Sequence, residues 1–364
     1  MAPLIRQRVQ KRRPRWFLRD LFHTAQAAPI TTPRTAEPGP GTFARVDTES
    51  VMPIAGGALS LGARAVPTNG DPRLTTVSPY PQICGRALLA RIVKANSAGW
   101  KIGWSSGTAG NLVGATMLFG ADITYQNNVS ITTNRATATA TEYDVAIILR
   151  GGTAGAWALI RGGAYPTWTL VAAGWVTAAG SLYGAAGAST TGGTGTVDTL
   201  RAIDLAGAWA DPYGIASHRT AAPVTGDTAT SDPDGIVECV WTPAAAEVFE
   251  LSARRTDDNN RWILRADQAA GTVTLIERNA GAETPRGSFA YTQTVGTPLH
   301  LHLDMYGTSI RIMAGPISTV TAYGTAVYAS ASFNQTATGV KVAGFATAAN
   351  LVCWPRTVQL PAGV

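Results

Sequence analysis

Leu299-His300-Leu301-His302-Leu303-Asp304-Met305 decides the fold, because its apolar and polar residues alternate without a break. Period 2 is the signature of a β-strand with one face in a core. Tyr306-Gly307-Thr308 then turns the chain, and Ser309-Ile310-Arg311-Ile312-Met313-Ala314 alternates again. Upstream, Gly235-Ile236-Val237-Glu238-Cys239-Val240-Trp241 and Thr272-Val273-Thr274-Leu275-Ile276-Glu277-Arg278 behave alike. Between them, Phe249–Arg255 and Arg261–Ala266 flank the turn Thr256-Asp257-Asp258-Asn259-Asn260. Consecutive alternating runs joined by short turns describe antiparallel strands, each buried on one face and wet on the other.

Residues 42–210 carry the same character less sharply. Short apolar runs such as Ala87–Val93, Val145–Leu149, Ala156–Ile160 and Trp168–Ala172 are separated by turn clusters such as Asn96–Gly99 and Gly151-Gly152. Closing segments at Thr199–Gly207 and Trp354–Gly363 make the two halves a divergent repeat. The chain of 364 residues is only 14% charged, and its many small residues suit strand-on-strand packing. The expectation is all-β: two tandem antiparallel β-sandwich domains of jelly-roll type, residues 42–210 and 211–364, behind a basic arm and Pro-rich linker over residues 1–41.

The charge is lopsided. Arg6, Arg8, Lys11, Arg12, Arg13, Arg15 and Arg19 against Asp20 equal the whole net charge of +6. Arg12, Arg13 and Arg15 adjoin the apolar cluster Trp16, Phe17, Leu18, Leu21 and Phe22. Arginine beside aromatic residues is the composition of an interface anchor, so this arm, as a short helix or extended, is expected to insert into a partner. Arg19, Asp20 and His23 interrupt the apolar run too early for an export signal, and no run is long enough for a transmembrane helix. The neutral body supplies no second basic patch, which argues against nucleic acid.

Ser252–Arg265, Gly271–Leu275 and Leu301–Ile312 together resemble laminin-G/concanavalin-A-like jelly-roll domains of bacteriophage minor tail proteins, as found in long-tailed phages of actinobacteria. Phe43-Ala44-Arg45-Val46-Asp47 is similar to the opening segment of such domains. The resemblance implies a virion structural protein at a tail tip or baseplate, anchored by its arm to other tail subunits. It also implies a homo-oligomer, a trimer or ring, that touches host cell-wall glycan. The alternative is a carbohydrate-binding module or glycan hydrolase of concanavalin-like fold.

Candidate chemistry is sparse. Asp257 and Asp258, with Asn259 and Asn260, offer oxygen ligands of the kind Ca²⁺ takes, although Asx-rich turns form for backbone reasons alone. Ca²⁺ there is the one cofactor left open. His300 and His302, continued by Asp304, are a metal-capable spacing on a face expected to meet solvent or a neighbour. Glu250 and Glu277 lack the strand motif of concanavalin-like glycanases, and no phosphate-binding, metalloprotease or serine-hydrolase motif occurs, so no enzyme is expected. Cys84, Cys239 and Cys353 have no metal or redox spacing and read as small buried residues. Tyr165, Trp168 and Trp175, near Gly163 and Pro166, are the glycan-stacking candidates.

Overall fold

The computed structural model describes residues 15–22, 24–27, 34–37, 40–46, 52–61, 73–81, 85–95, 100–105, 114–119, 122–127, 129–149, 156–174, 181–188, 195–205, 226–229, 233–316, 324–343 and 348–355. Every regular element among them is a β-strand, and every pairing is antiparallel. The strands form two sandwiches, as their alternation requires.

In the first sandwich an eight-stranded sheet runs Tyr165–Gly174, Ala156–Gly162, Thr141–Leu149, Arg86–Lys94, Gly195–Asp204, Ala58–Leu61 and Ile54–Ala55. It faces a nine-stranded sheet whose middle is Gly114–Phe119, Trp100–Ser105 and Ser181–Ala188. Leu88, Ala90, Ile92, Val145, Ile147 and Leu149 point into the space between them. Trp104 is fully buried there, and its indole N–H donates to the Ile147 carbonyl at 3.0 Å. A buried indole needs such a partner.

The arm is the main departure from expectation. Arg15–Asp20 is the eighth strand of that sheet, paired with Gly195–Asp204 of the same chain. Leu18 and Phe22 are fully buried in the first sandwich, and Leu21 is half-buried. A β-carbon on Gly41 would collide with Leu18 Cδ1, and Gly41 holds a φ of 111° that suits glycine. Three neighbouring apolar residues have therefore found a core within their own chain. That is the cheaper solution when the adjacent sheet offers a free edge. Residues 15–46 accordingly belong to the first sandwich, where residue 42 was expected to begin it. Arg12 and Arg13 lie outside the described residues, as do the side chains of Arg15, Trp16 and Phe17.

The second sandwich follows the reading closely. A six-stranded sheet runs Gly226–Ala229, Gly339–Ala343, Val248–Asp257, Asn260–Asp267, Thr272–Asn279 and Ala282–Ala290. A five-stranded sheet runs Gly324–Tyr328, Ser309–Pro316, Leu299–Tyr306, Gly235–Trp241 and Ala348–Pro355. Phe249, Leu251, Trp262, Leu264, Val273 and Leu275 meet Val237, Trp241, Leu301, Leu303, Ile310 and Ile312 between the sheets. Trp241 and Trp262 are buried, and their indoles donate to Glu247 at 3.0 Å and to the Phe333 carbonyl at 2.9 Å. Cys239 is buried in the same core.

Candidate functional site

Alternation turns one set of side chains on the six-stranded sheet away from the core. These are Glu250 and Ser252, then Arg261, Ile263 and Arg265, then Thr274, and Lys341 on the neighbouring strand. Register sets Glu250 opposite Arg265, Arg265 opposite Thr274, and Ser252 opposite Lys341. The result is a lattice of charges. Arg265 donates to Glu250 at 2.5 and 2.8 Å and to both oxygens of Glu283 at 2.8 Å. Arg261 reaches Glu250 at 3.1 Å and Asp258 at 3.3 Å. Arg278 reaches Glu283 at 3.2 Å.

Hydrogen bonds from Arg265 hold the Glu283 carboxyl below its ordinary pKa, and those to Glu283 and then Glu250 raise the Arg265 guanidinium. Arg265 and Glu283 therefore stay ionised across the physiological range. Arg265, Arg278 and Glu283 side chains are each 28% exposed, so donors and acceptors reach water from fixed positions. Guanidinium forks and carboxylates preset in one plane suit a ligand that is dense in hydroxyl groups, or one that combines hydroxyls with carboxylate.

The turn at 256–260 is closed by its own side chains. Asp257 accepts the Asn259 N–H at 2.7 Å and the Asn260 amide at 2.9 and 3.0 Å. The Asn260 bond is the main cause that holds its carboxyl below the usual range. Asp258 is shared by Lys341 at 2.7 Å, Arg255 at 3.2 Å and Arg261 at 3.3 Å. Asp257 thus closes the turn on its own backbone, while the Asp258 carboxylate is already surrounded by three cations. Asp234 behaves similarly: the buried Arg254 guanidinium meets it at 2.6 Å. Asp232 lies outside the described residues.

Other candidates separate. Trp168 is 7% exposed and Tyr165 5% exposed, and the Arg161 guanidinium stands 4.8 Å from the Trp168 ring centroid. Neither ring is open to a sugar, because the hairpin that carries them folds its aromatic side chains against the sandwich. Trp175 lies outside the described residues. Glu277 shares register with the core residue Trp262, on the side opposite Glu250, and Arg286 binds it at 2.9 Å. The two carboxylates thus have no common substrate space.

His300, His302 and Asp304 meet a neighbour, the second of the two surroundings expected of them: they are 1%, 2% and 8% exposed. The neighbour that covers them is the first sandwich. Ile236, two residues from Glu238 on the same face, packs in one cluster with Trp157, Trp168, Leu170 and Ile203. Met313, the register partner of His302, joins the interior cluster of the first sandwich. His300 Nε2 lies 3.0 Å from Glu238 Oε2, and His302 Nδ1 lies 3.9 Å from it. Burial depresses His302 to a pKa of about 4, so it is neutral at physiological pH. Glu238, Arg261, Arg265 and Glu283 were not singled out in the sequence. Their signal was there, as the polar half of each alternating strand, but alternation does not rank polar positions.

No protein family matches this sequence, and no curated protein does. Solved structures share the sandwich. A carbohydrate binding module, CBM66 from Bacillus subtilis, is 15% identical with a TM-score of 0.29, covering 35% of this chain and 77% of that one. The galectin LEC-6 of Caenorhabditis elegans is 14% identical with a TM-score of 0.29, over 37% of this chain and 93% of its own. A structure from work on endo-acting O-glycanases of human gut bacteria is 10% identical with a TM-score of 0.35, over 52% and 99%. The two sandwiches of this chain are shown by its own strand pairing. No helix among the described residues is long and apolar enough to cross a membrane.

Proposed function

We propose that this is a non-catalytic glycan-binding protein whose ligand lies on the outer face of the six-stranded sheet of the second sandwich. The observation that carries the reading is the Glu250–Arg265–Glu283 ladder, with Arg265 bonded to both carboxylates at 2.5 to 2.8 Å and its side chain 28% open to water. Such a ladder holds donors and acceptors ready, so little ordering cost remains on binding. The test is binding of the whole chain to immobilised polysaccharides, including bacterial cell-wall glycans, before and after Arg265→Ala. Wild-type binding that drops at least about tenfold in a folded variant supports the reading, since that is the scale of one charge-assisted contact. An inert wild-type chain, or a variant that binds equally well, ends it.

The second reading places the same face on a phage tail subunit, alone or as a trimer or ring. What favours it is the sequence resemblance over residues 252–312. Anchoring through Leu18 and Phe22 would require that strand to leave its own sandwich, where both side chains are buried. Mass spectrometry of purified particles decides whether the chain is a virion component.

A further inference from the structure

We propose that Glu238, His300 and His302 form a divalent transition-metal site, best suited to Zn²⁺, between the two sandwiches. The His-x-His spacing on strand Leu299–Tyr306 puts both imidazoles on one face, and register sets Glu238 opposite His302 on the next strand. Their donor atoms all lie within 4.8 Å of one another. Zn²⁺ bonds of about 2.0–2.2 Å to nitrogen and oxygen in a tetrahedral site would place ligand atoms roughly 3.3–3.6 Å apart. The observed 3.0 and 3.9 Å to one carboxylate oxygen bracket that spacing.

A further fact points to an ion. The His300–Glu238 hydrogen bond leaves His302 at 3.9 Å from the same oxygen, beyond hydrogen-bond reach, although its side chain is only 2% exposed. All three ligands come from the five-stranded sheet, so the ion's role is structural: it pins Gly235–Trp241 to Leu299–Tyr306.

The test uses the full chain without a histidine tag, unfolded, stripped with a chelator and refolded with Co²⁺ or Zn²⁺. The expected result is one tightly held equivalent, with the visible bands of tetrahedral Co²⁺ displaced by Zn²⁺, and a higher Tm. X-ray absorption should find nitrogen and oxygen neighbours at about 2.0–2.2 Å and no sulfur. His302→Gln should weaken binding by about tenfold or more. Should that variant fail to fold, the wild-type spectrum still decides. Absence of retained metal, a sulfur shell, or equal binding by folded His302→Gln would each overturn the site and leave a buried His–Glu hydrogen bond in its place.

Discussion

The second sandwich has two outer faces built by one rule and put to opposite uses. On the six-stranded sheet the outward residues Glu250, Arg265 and Glu283 form a charge-paired lattice whose side chains are 15–28% open to water. On the five-stranded sheet they are Glu238, His300, His302 and Asp304, all at most 8% exposed beneath the first sandwich. Both sets occupy the polar half of an alternating strand. Period 2 thus fixes which side chains leave a sandwich core, and says nothing of what lies beyond the sheet.

Charge placed on each face should break that symmetry most sharply. Ile236 sits on the covered face among Trp157, Trp168 and Leu170 of the first sandwich. Ile236→Asp buries a carboxylate there and should cost about 3–5 kcal/mol, the penalty of an uncompensated buried charge. Thr274→Asp on the open face, opposite Arg265, should stay within about 0.5 kcal/mol. Urea unfolding of the two variants checks both. Equal costs would mean that the covered face is not covered in solution.

Protons should separate the same faces along the pH axis. His302 falls from 6.5 to about 4, first because of burial. A depressed histidine binds its proton less well when folded, so in the metal-free chain its stability is whole above pH 6.5. That stability is lost as the pH falls from 6.5 through about 4, up to about 3 kcal/mol. Glu283 and Asp258 are carboxyls held low, by hydrogen bonds from Arg265 and from Lys341 respectively. Their contribution persists until the pH drops below the ordinary carboxylate range, at about 4. Stability measured from neutral pH downward should therefore fall first on account of the covered face. His302→Gln should flatten that first limb and leave the more acidic one.

The strands of the second sandwich were legible because each carries one wet and one dry face, and their turns are short and polar. The two-sandwich plan followed from the same signal. The fate of Trp16–Phe22 was not legible. An apolar cluster beside arginines suits a partner's surface and an unfilled sheet edge equally well, and only the register of Arg15–Asp20 against Gly195–Asp204 distinguishes them. Trp168 and Tyr165 misled for a related reason: nearness to Gly163 and Pro166 marks a hairpin, but the direction of the rings depends on packing across it. The His-x-His strand was seen as metal-capable. Its third member, Glu238, lies 62 residues before His300 and becomes adjacent only through strand pairing.

A small stability effect should carry the largest change in binding. Arg265→Ala removes ion pairs whose members are 15–28% exposed, so unfolding should shift by only about 1 kcal/mol or less. The same variant strips the open face of the guanidinium that holds both Glu250 and Glu283, and their unscreened carboxylates would then repel any anionic group of a glycan. Arg265→Lys keeps the charge but loses the planar fork. If recognition needs only positive charge, Lys restores binding. If it needs the fork that fixes two carboxylates at once, Lys binds as weakly as Ala while its stability matches the wild type, and the face works by geometry.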